Sequence, residues 1–191
     1  MNIGIIVEQE RDKAAYRELT RKIRDDVEHI PAEPCGNDAG VMEQFVGWLK
    51  HFQWHSEISV DKALVIRDSD CHDPLAWETK MEQIFMQSHF APRFPVHFYA
   101  TKCEVEAWLL ADEEAINQVA RSRGKWGAVS RVTVQLESLR NAKELFRRVL
   151  SKADLPADPK VYAEIASAVS LDRIAARCPY FQQFVDRVRA C

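Results

Sequence analysis

The feature that most constrains the fold is a pair of short apolar runs that each end in acidic residues. Residues 3–7 read Ile-Gly-Ile-Ile-Val and are followed by Glu8, and residues 63–66 read Ala-Leu-Val-Ile and are closely followed by Asp68 and Asp70. Neither run alternates apolar with polar residues, which is typical of strands that are buried on both faces of a parallel sheet. Because such sheets bind ligands at the carboxyl ends of their strands, the two runs predict an acidic site at one edge of an α/β sheet.

Helical patterns lie between the apolar runs. The spacing of apolar residues predicts a helix from residue 10 to about residue 30 and a second helix over residues 41–54. The prolines within residues 31–38 predict a loop between them. Residues 96–100 form another apolar run and predict a further strand. This alternation of strands and helices indicates an α/β fold with a Rossmann-like parallel sheet and flanking helices.

The last third of the chain has a different pattern. One continuous helix is predicted over residues 105–119, and a basic loop follows it. Only helical patterns, interrupted by prolines, follow that loop. We therefore expect an α/β core in residues 1–120, with a basic loop and a helical C-terminal part in residues 121–191 packed against it.

The charge of the chain is unevenly distributed. Residues 1–120 carry 12 Lys and Arg against 22 Asp and Glu, whereas residues 121–152 carry 9 basic residues against 2 acidic ones. A basic segment beside an acidic one suits a metal-dependent enzyme that acts on a polyanion, although a solvated helix face would show the same composition. The candidate nucleic-acid contacts are Arg121, Arg123, Lys125 and Arg131.

The acidic residues themselves favour a divalent cation. Glu8, Asp68 and Asp70 follow predicted strands, and Asp12 falls in the first turn of the first predicted helix. Carboxylate ligands without His or Cys suit Mg²⁺ or Mn²⁺. The plainer alternatives are a helix-dipole interaction for Glu8 and turn or capping contacts for Asp68 and Asp70. On the metal hypothesis all four are ligands, and Glu8, Asp68 and Asp70 are also catalytic.

The order of these acids resembles the Toprim pattern. In that pattern a glutamate ends the first strand, as Glu8 does here, and an Asp-x-Asp motif ends a later one, as Asp68-Ser-Asp70 does. The resemblance implies a Rossmann-like sheet and Mg²⁺-dependent chemistry on phosphodiesters. The Toprim glutamate is usually followed by glycine, whereas this chain has Gln9.

A second resemblance covers most of the chain. The segments Glu104-Val-Glu106-Ala-Trp108 and Asn141-Ala-Lys143, together with residues 162–174 and 179–184, resemble a bacterial Toprim-like family. This is the domain-of-unknown-function family 4276, which is related to the OLD-type nucleases. It implies that Glu106 is a further metal ligand, with Glu104 as the alternative, and that Lys143 is catalytic. It also implies a link to an ATPase and to phage defence.

Three functional hypotheses follow. The first is a Mg²⁺- or Mn²⁺-dependent Toprim-like nuclease, the effector of an ATPase-linked phage-defence system, with Lys143 or Arg67 stabilising charge in the transition state. The second is a catalytically degenerate regulatory subunit of an ATPase complex. The third is a phosphohydrolase or nucleotidyl transferase for small substrates, which the absence of a Gly-rich phosphate loop disfavours. The partners to be expected are DNA or RNA, an ATPase and a second copy of the chain, and not a membrane.

Two further expectations concern the environment of the protein. No apolar run approaches the roughly 18 residues that a membrane span requires, and the N-terminus has no signal-peptide pattern, so a cytoplasmic protein is expected. The five cysteines are odd in number and lack zinc-ligand spacing. They are accordingly predicted to be reduced thiols.

Overall fold

Four parallel strands form one sheet at the centre of the protein. The computed structural model describes residues 1–191, except for the side chain of Asp38, and within this described part the strand order is β2-β1-β3-β4. The strands are β1 (Ile3–Val7), β2 (Ala32–Pro34), β3 (Lys62–Asp68) and β4 (Val96–Thr101). All the neighbouring pairs are parallel, so the carboxyl ends of the strands meet at one edge.

The sheet is buried on both faces, as its apolar runs predict. Successive side chains of a strand point to opposite faces, and accordingly Ile5 of β1 belongs to one hydrophobic cluster and Ile6 to the other. The helices that cover the two faces, taken over the described residues, are α1 (Glu10–Ile23), α2 (Asp38–Trp54), α3 (Pro74–Gln87), α4 (Val105–Leu109), α5 (Glu113–Ser122), α6 (Ala142–Lys152), α7 (Pro159–Ala168), α8 (Leu171–Arg177) and α9 (Phe181–Ala190). The predicted α/β fold with a parallel sheet and flanking helices is confirmed.

The two faces carry very different amounts of protein. Helices α2 and α3 cover one face with a small cluster that includes Phe45 and Met81. The other face is covered by α1 and by the helices that follow β4, and its cluster extends as far as Cys191. This larger core contains residues from both sides of residue 120. At its centre lies Trp108, fully buried, with ring centroids 4.9 Å from Phe181 and 5.1 Å from Phe184.

Two predicted boundaries near the first helix are wrong. Helix α1 ends at Ile23 rather than near residue 30, because the chain becomes extended at Arg24 and the Arg24 side chain binds Asp26. The predicted loop over residues 31–38 contains β2, which pairs with β1. An edge strand tolerates Pro34 because one side of its backbone needs no partner.

The single helix predicted over residues 105–119 is also wrong. Helix α4 ends at Leu109, and Asp112 caps a separate helix, α5, by accepting hydrogen bonds from the backbone N–H groups of Ala115 and Ser170. An aspartate that binds backbone amides in this way competes with continuation of the helix. Helix α4, which begins four residues after β4 ends, is thereby limited to the five residues Val105–Leu109.

The prediction of five reduced thiols is contradicted as well. Cys71 and Cys103 form a disulfide, 32 residues apart in sequence, while Cys35, Cys178 and Cys191 are free and buried. Residue spacing carries no information about two turns that meet only after the sheet has assembled. In the described part of the chain, no helix is both long enough and apolar enough to cross a membrane.

Candidate metal centre

Three of the predicted metal ligands converge at the carboxyl edge of the sheet. Glu8 follows β1, Asp68 ends β3, and Asp12 lies in the first turn of α1. Each offers a carboxylate oxygen within 4.8 Å of the others, and all three side chains are buried, with 7%, 5% and 2% exposure for Glu8, Asp68 and Asp12. Glu8 also accepts a hydrogen bond of 3.0 Å from the Asp68 backbone N–H, which ties β1 to β3 at the site.

The start of α1 positions Asp12. The Gln9 backbone N–H donates to Asp12 Oδ2 at 3.0 Å, in the manner of a capping box. Gln9 has φ −134° and ψ 162°, an ordinary extended conformation that does not require glycine. The other carboxylate oxygen, Asp12 Oδ1, is buried and has no hydrogen-bond partner among the described residues.

Glu106 lies outside the set of three carboxylates that converge, but its charge acts on two of them. Glu106 is fully buried in the first turn of α4, where its Oε1 accepts a 2.9 Å hydrogen bond from the Tyr162 hydroxyl. Its Oε2 is buried without a partner in the part of the chain that is described. Its negative charge raises the pKa values of Asp12 and Asp68. Glu104, by contrast, accepts from the Lys143 backbone N–H at 2.7 Å.

Asp70 lies at the mouth of the centre. It is exposed, unlike the three converging acids, and it occupies a left-handed backbone conformation with φ 50°. It lies outside the set of three converging carboxylates, although its charge raises the pKa of Glu8. Asp70 is thus the predicted ligand in contact with solvent.

Two predicted cations lie near the acids in different settings. Lys143, at the start of α6, is half-buried, and its charge lowers the pKa values of Asp12 and Asp68. Arg67 is 4% exposed, and its guanidinium carbon lies 3.7 Å from the centroid of the Trp77 ring. Both cations therefore act on the acidic cluster, because the charge of Arg67 lowers the pKa of Glu8 while that of Lys143 lowers the pKa values of Asp12 and Asp68.

Burial raises the proton affinity of the converging acids. Loss of solvation, followed by the charges of neighbouring carboxylates, raises the pKa of Asp12 to about 7. Burial also raises the pKa of Glu8 to about 7, although a hydrogen bond from the Asp68 backbone N–H opposes this rise. The pKa of Asp68 is raised well above its ordinary value, again mainly by burial. Without a cation the cluster therefore retains protons near neutral pH, and a divalent ion would displace them.

Sequence analysis missed the two tyrosines that hold these acids. The Tyr16 hydroxyl, fully buried, lies 2.5 Å from Thr101 Oγ1 and 3.4 Å from Asp68 Oδ1. Tyr162 reaches Glu106 from α7. Tyr16 lies four residues after Asp12, so helical spacing could have placed the two on one face. No local signal connects Tyr162 with Glu106.

A groove of about 620 Å³ opens beside the start of α1, where its lining includes Gln9, Arg11, Pro34 and Asp158. The Arg11 guanidinium lies 5.8 Å from the centroid of the Tyr162 ring, and its charge lowers the pKa of Asp12. Arg11, which sequence analysis also missed, is thus a cation between the groove and the acidic cluster.

Most of the basic side chains that were candidates for nucleic-acid contacts are paired with acidic side chains. Three of the four form ion pairs: Arg121 with Glu114 at 2.5 Å, Arg123 with Glu164 at 2.7 Å and Lys125 with Asp154 at 2.7 Å. The fourth, Arg131, lines a cavity of about 290 Å³ together with Arg173 and Arg177. The positive charge counted over residues 121–152 is therefore partly balanced by acids from outside that segment.

The family described as "Domain of unknown function (DUF4276)" matches residues 7–189. The chain belongs to this family. No curated protein and no solved structure matches it. The family match includes every residue of the candidate centre, yet a family of unknown function assigns none of them a role. For this DUF4276 protein, the geometry of the site must carry any functional conclusion.

Proposed function

We propose that this DUF4276 protein is a Toprim-like nuclease that hydrolyses nucleic-acid phosphodiesters with Mg²⁺ or Mn²⁺. The observation that carries the proposal is the convergence of Glu8, Asp12 and Asp68 at the carboxyl edge of a parallel sheet, with carboxylate oxygens within 4.8 Å of one another. The resemblance of Glu8 and Asp68-Ser-Asp70 to the Toprim pattern supports the same chemistry.

The residues present fit a hard divalent cation. Asp12 Oδ1 and Glu106 Oε2 are buried without hydrogen-bond partners among the described residues. A buried and unsatisfied carboxylate oxygen destabilises a fold, because it has lost water without gaining a donor. A cation held by the converging set would give Asp12 Oδ1 a partner, and Glu106 Oε2 is a second buried oxygen able to accept one. An all-carboxylate set with neither His nor Cys favours Mg²⁺ or Mn²⁺ over zinc.

Each side chain then has a role that follows from its position. Glu8, Asp12 and Asp68 would hold the ion, with Glu106 completing the set, while a bound ion would supply Lewis-acid polarisation of the phosphate and lower the pKa of a water molecule. Tyr16 and Tyr162 orient Asp68 and Glu106 through their hydroxyls. The cations whose charges act on the acids, Lys143, Arg67 and Arg11, would stabilise the negative charge of a phosphodiester. Asp70, at the mouth, is the carboxylate with access to solvent protons.

The test is cleavage of labelled DNA and RNA by the purified protein in Mg²⁺, Mn²⁺ or EDTA. We expect metal-dependent cleavage that falls by about 100-fold or more in Asp68→Asn, while Glu10→Gln, an exposed acid near the start of α1, retains it. Absence of cleavage with either metal, or equal cleavage by Asp68→Asn, would contradict the proposal. Turnover of nucleotides without cleavage of polymers would instead indicate a phosphohydrolase for small substrates.

A second candidate is a regulatory subunit of an ATPase complex with an inactive Toprim-like site. The ion pairs of Arg121, Arg123 and Lys125 favour it, because paired cations attract a polyanion less strongly. Calorimetric titration with Mn²⁺ separates the candidates, since an inactive site of this kind should bind no metal. In the nuclease proposal, the ATPase-linked phage-defence system remains the expected context.

A further inference from the structure

The disulfide between Cys71 and Cys103 joins two turns that carry residues of the candidate centre. Cys71 directly follows Asp70 in the turn after β3, and Cys103 directly precedes Glu104 at the start of α4. The bond therefore links the turn that holds the exposed acid of the mouth with the segment that leads to Glu106.

The turn after β3 has an unusual backbone. Asp70 and Cys71 are consecutive non-glycine residues with φ values of 50° and 63°, in the left-handed region that side chains disfavour. Backbone hydrogen bonds hold the ends of the turn: Ser69 N–H donates to Thr101 O at 3.0 Å, and His72 N–H donates to Ser69 O at 2.8 Å. Between these bonds, the covalent link at Cys71 constrains the residues that set the direction of the Asp70 side chain.

The two sulfur atoms differ in access. Cys71 is partly exposed, whereas Cys103 is buried, with 1% exposure. Of the two residues, Cys71 is therefore the one more accessible to a small thiol. Once released, the Cys103 thiol has an acceptor in place, because its Sγ lies 3.1 Å from the Glu137 carbonyl oxygen. The surroundings of Cys103 thus accommodate both the bonded sulfur and the free thiol.

We propose that Cys71 and Cys103 form a redox-responsive link that holds Asp70 at the mouth of the metal centre when oxidised and releases it when reduced. The reductant is a low-molecular-weight thiol such as glutathione. Its thiolate attacks Cys71 Sγ, the bond to Cys103 Sγ breaks, and the Cys103 sulfur leaves as a thiolate and takes up a proton. A second thiol attacks the mixed disulfide and releases Cys71, so that two thiols become one disulfide as the protein disulfide becomes two thiols.

The consequence for metal binding rests on the proposed function. Release of the link allows Asp70 and Cys71 to leave the left-handed region, which moves the Asp70 carboxylate relative to Glu8. Changes to groups that support metal ligands weaken metal affinity by roughly 10- to 100-fold. We expect the reduced protein to bind Mn²⁺ about tenfold more weakly than the oxidised protein.

The experiment compares the full-length protein after equilibration in buffers of reduced and oxidised glutathione. Alkylation after unfolding should detect three thiols in the oxidised state, from Cys35, Cys178 and Cys191, and five in the reduced state. Calorimetry then measures Mn²⁺ affinity in each state, with a phosphine as the reductant. Hydrogen exchange, read by mass spectrometry, measures protection of residues 69–73. The double variant Cys71→Ser and Cys103→Ser should behave as the reduced protein in every buffer, and Cys191→Ser should respond like the wild type.

The outcomes separate the link from the proposed function. Faster exchange of residues 69–73 together with weaker Mn²⁺ binding on reduction would support the link. A thiol count that does not change across the glutathione buffers, or equal exchange in the two states, would overturn it, as would unchanged Mn²⁺ affinity in a protein that binds the metal. If neither state binds Mn²⁺, the proposed function fails, and the exchange of residues 69–73 alone decides whether the link controls the turn.

Discussion

Replacing Asp12 by Asn tests the electrostatics of the centre without removing atoms from it. Asp12 is 2% exposed, and its Oδ2 accepts from the Gln9 backbone N–H. An amide oxygen can accept the same hydrogen bond, so the start of α1 should be retained. The change removes one negative charge from a buried group that also contains Glu8, Asp68 and Glu106.

The magnitude follows from the raised pKa of Asp12. An elevation from 3.8 to about 7 corresponds to about 4 kcal/mol of cost when the carboxylate is ionised in the folded protein at pH 8, at about 1.4 kcal/mol for each tenfold change in proton affinity. The buried amide also loses solvation, so a net gain in unfolding free energy of about 2 kcal/mol is expected. For a chain of this length that raises Tm by roughly 4–8 °C.

The assay is thermal unfolding at pH 8, with EDTA and then with Mn²⁺. In EDTA, Asp12→Asn should melt above the wild type. A ligand at about 100 times its Kd stabilises a protein by about 2.7 kcal/mol, so Mn²⁺ should raise the Tm of the wild type but have little effect on the variant. Glu10→Gln, an exposed acid in the same turn, should stay within about 0.5 kcal/mol of the wild type in both buffers.

Two results would refute this reasoning. If Asp12→Asn lowers Tm in EDTA, the Asp12 charge stabilises the fold and the cluster is not under electrostatic strain. If Mn²⁺ raises Tm equally in the wild type and the variant, the ion binds without Asp12 and the centre lies elsewhere.

Three further predictions concern the centre and the core around it. The raised pKa values of Glu8 and Asp12 stabilise the folded state while these acids are protonated, so this stabilisation is present at pH 4 and is lost as pH rises through about 7. Chemical denaturation of the metal-free protein should therefore give a lower unfolding free energy at pH 8 than at pH 5. A higher unfolding free energy at pH 8 would contradict this prediction. Tyr162→Phe removes the hydrogen-bond donor of Glu106 Oε1 and should weaken Mn²⁺ binding, measured by calorimetry, by about tenfold. An unchanged Mn²⁺ affinity would contradict a supporting role for Tyr162. Trp108→Ala should lower the unfolding free energy, measured in urea, by about 3–5 kcal/mol, because Trp108 is fully buried. The control Trp126→Ala, at a residue that is 95% exposed, should change it by less than about 0.5 kcal/mol. Similar losses in the two variants would show that Trp108 is not central to the core.

The sequence by itself determined the class of fold and the edge at which the acids lie. Apolar runs without alternation require burial on both faces, and parallel strands bring their carboxyl ends together, so the sequence places Glu8 and Asp68 at one edge. The first turn of α1 placed Asp12 nearby for the same local reason. These inferences succeeded because apolar periodicity is a property of consecutive residues, and helical segments between the runs favour parallel strands.

Tertiary structure decided the remaining features, because they depend on contacts between segments far apart in the chain. The different surroundings of Glu106 and Glu104 are one example, because Glu106 is fully buried and accepts a hydrogen bond from Tyr162 of α7, whereas Glu104 accepts one from the Lys143 backbone of α6. Pairing of the basic side chains with acids of other elements, such as Arg123 with Glu164, is equally non-local. The bond between Cys71 and Cys103 forms because β3 and β4 are neighbours in the sheet, and that adjacency places the disulfide next to Asp70 and Glu104 in the chain.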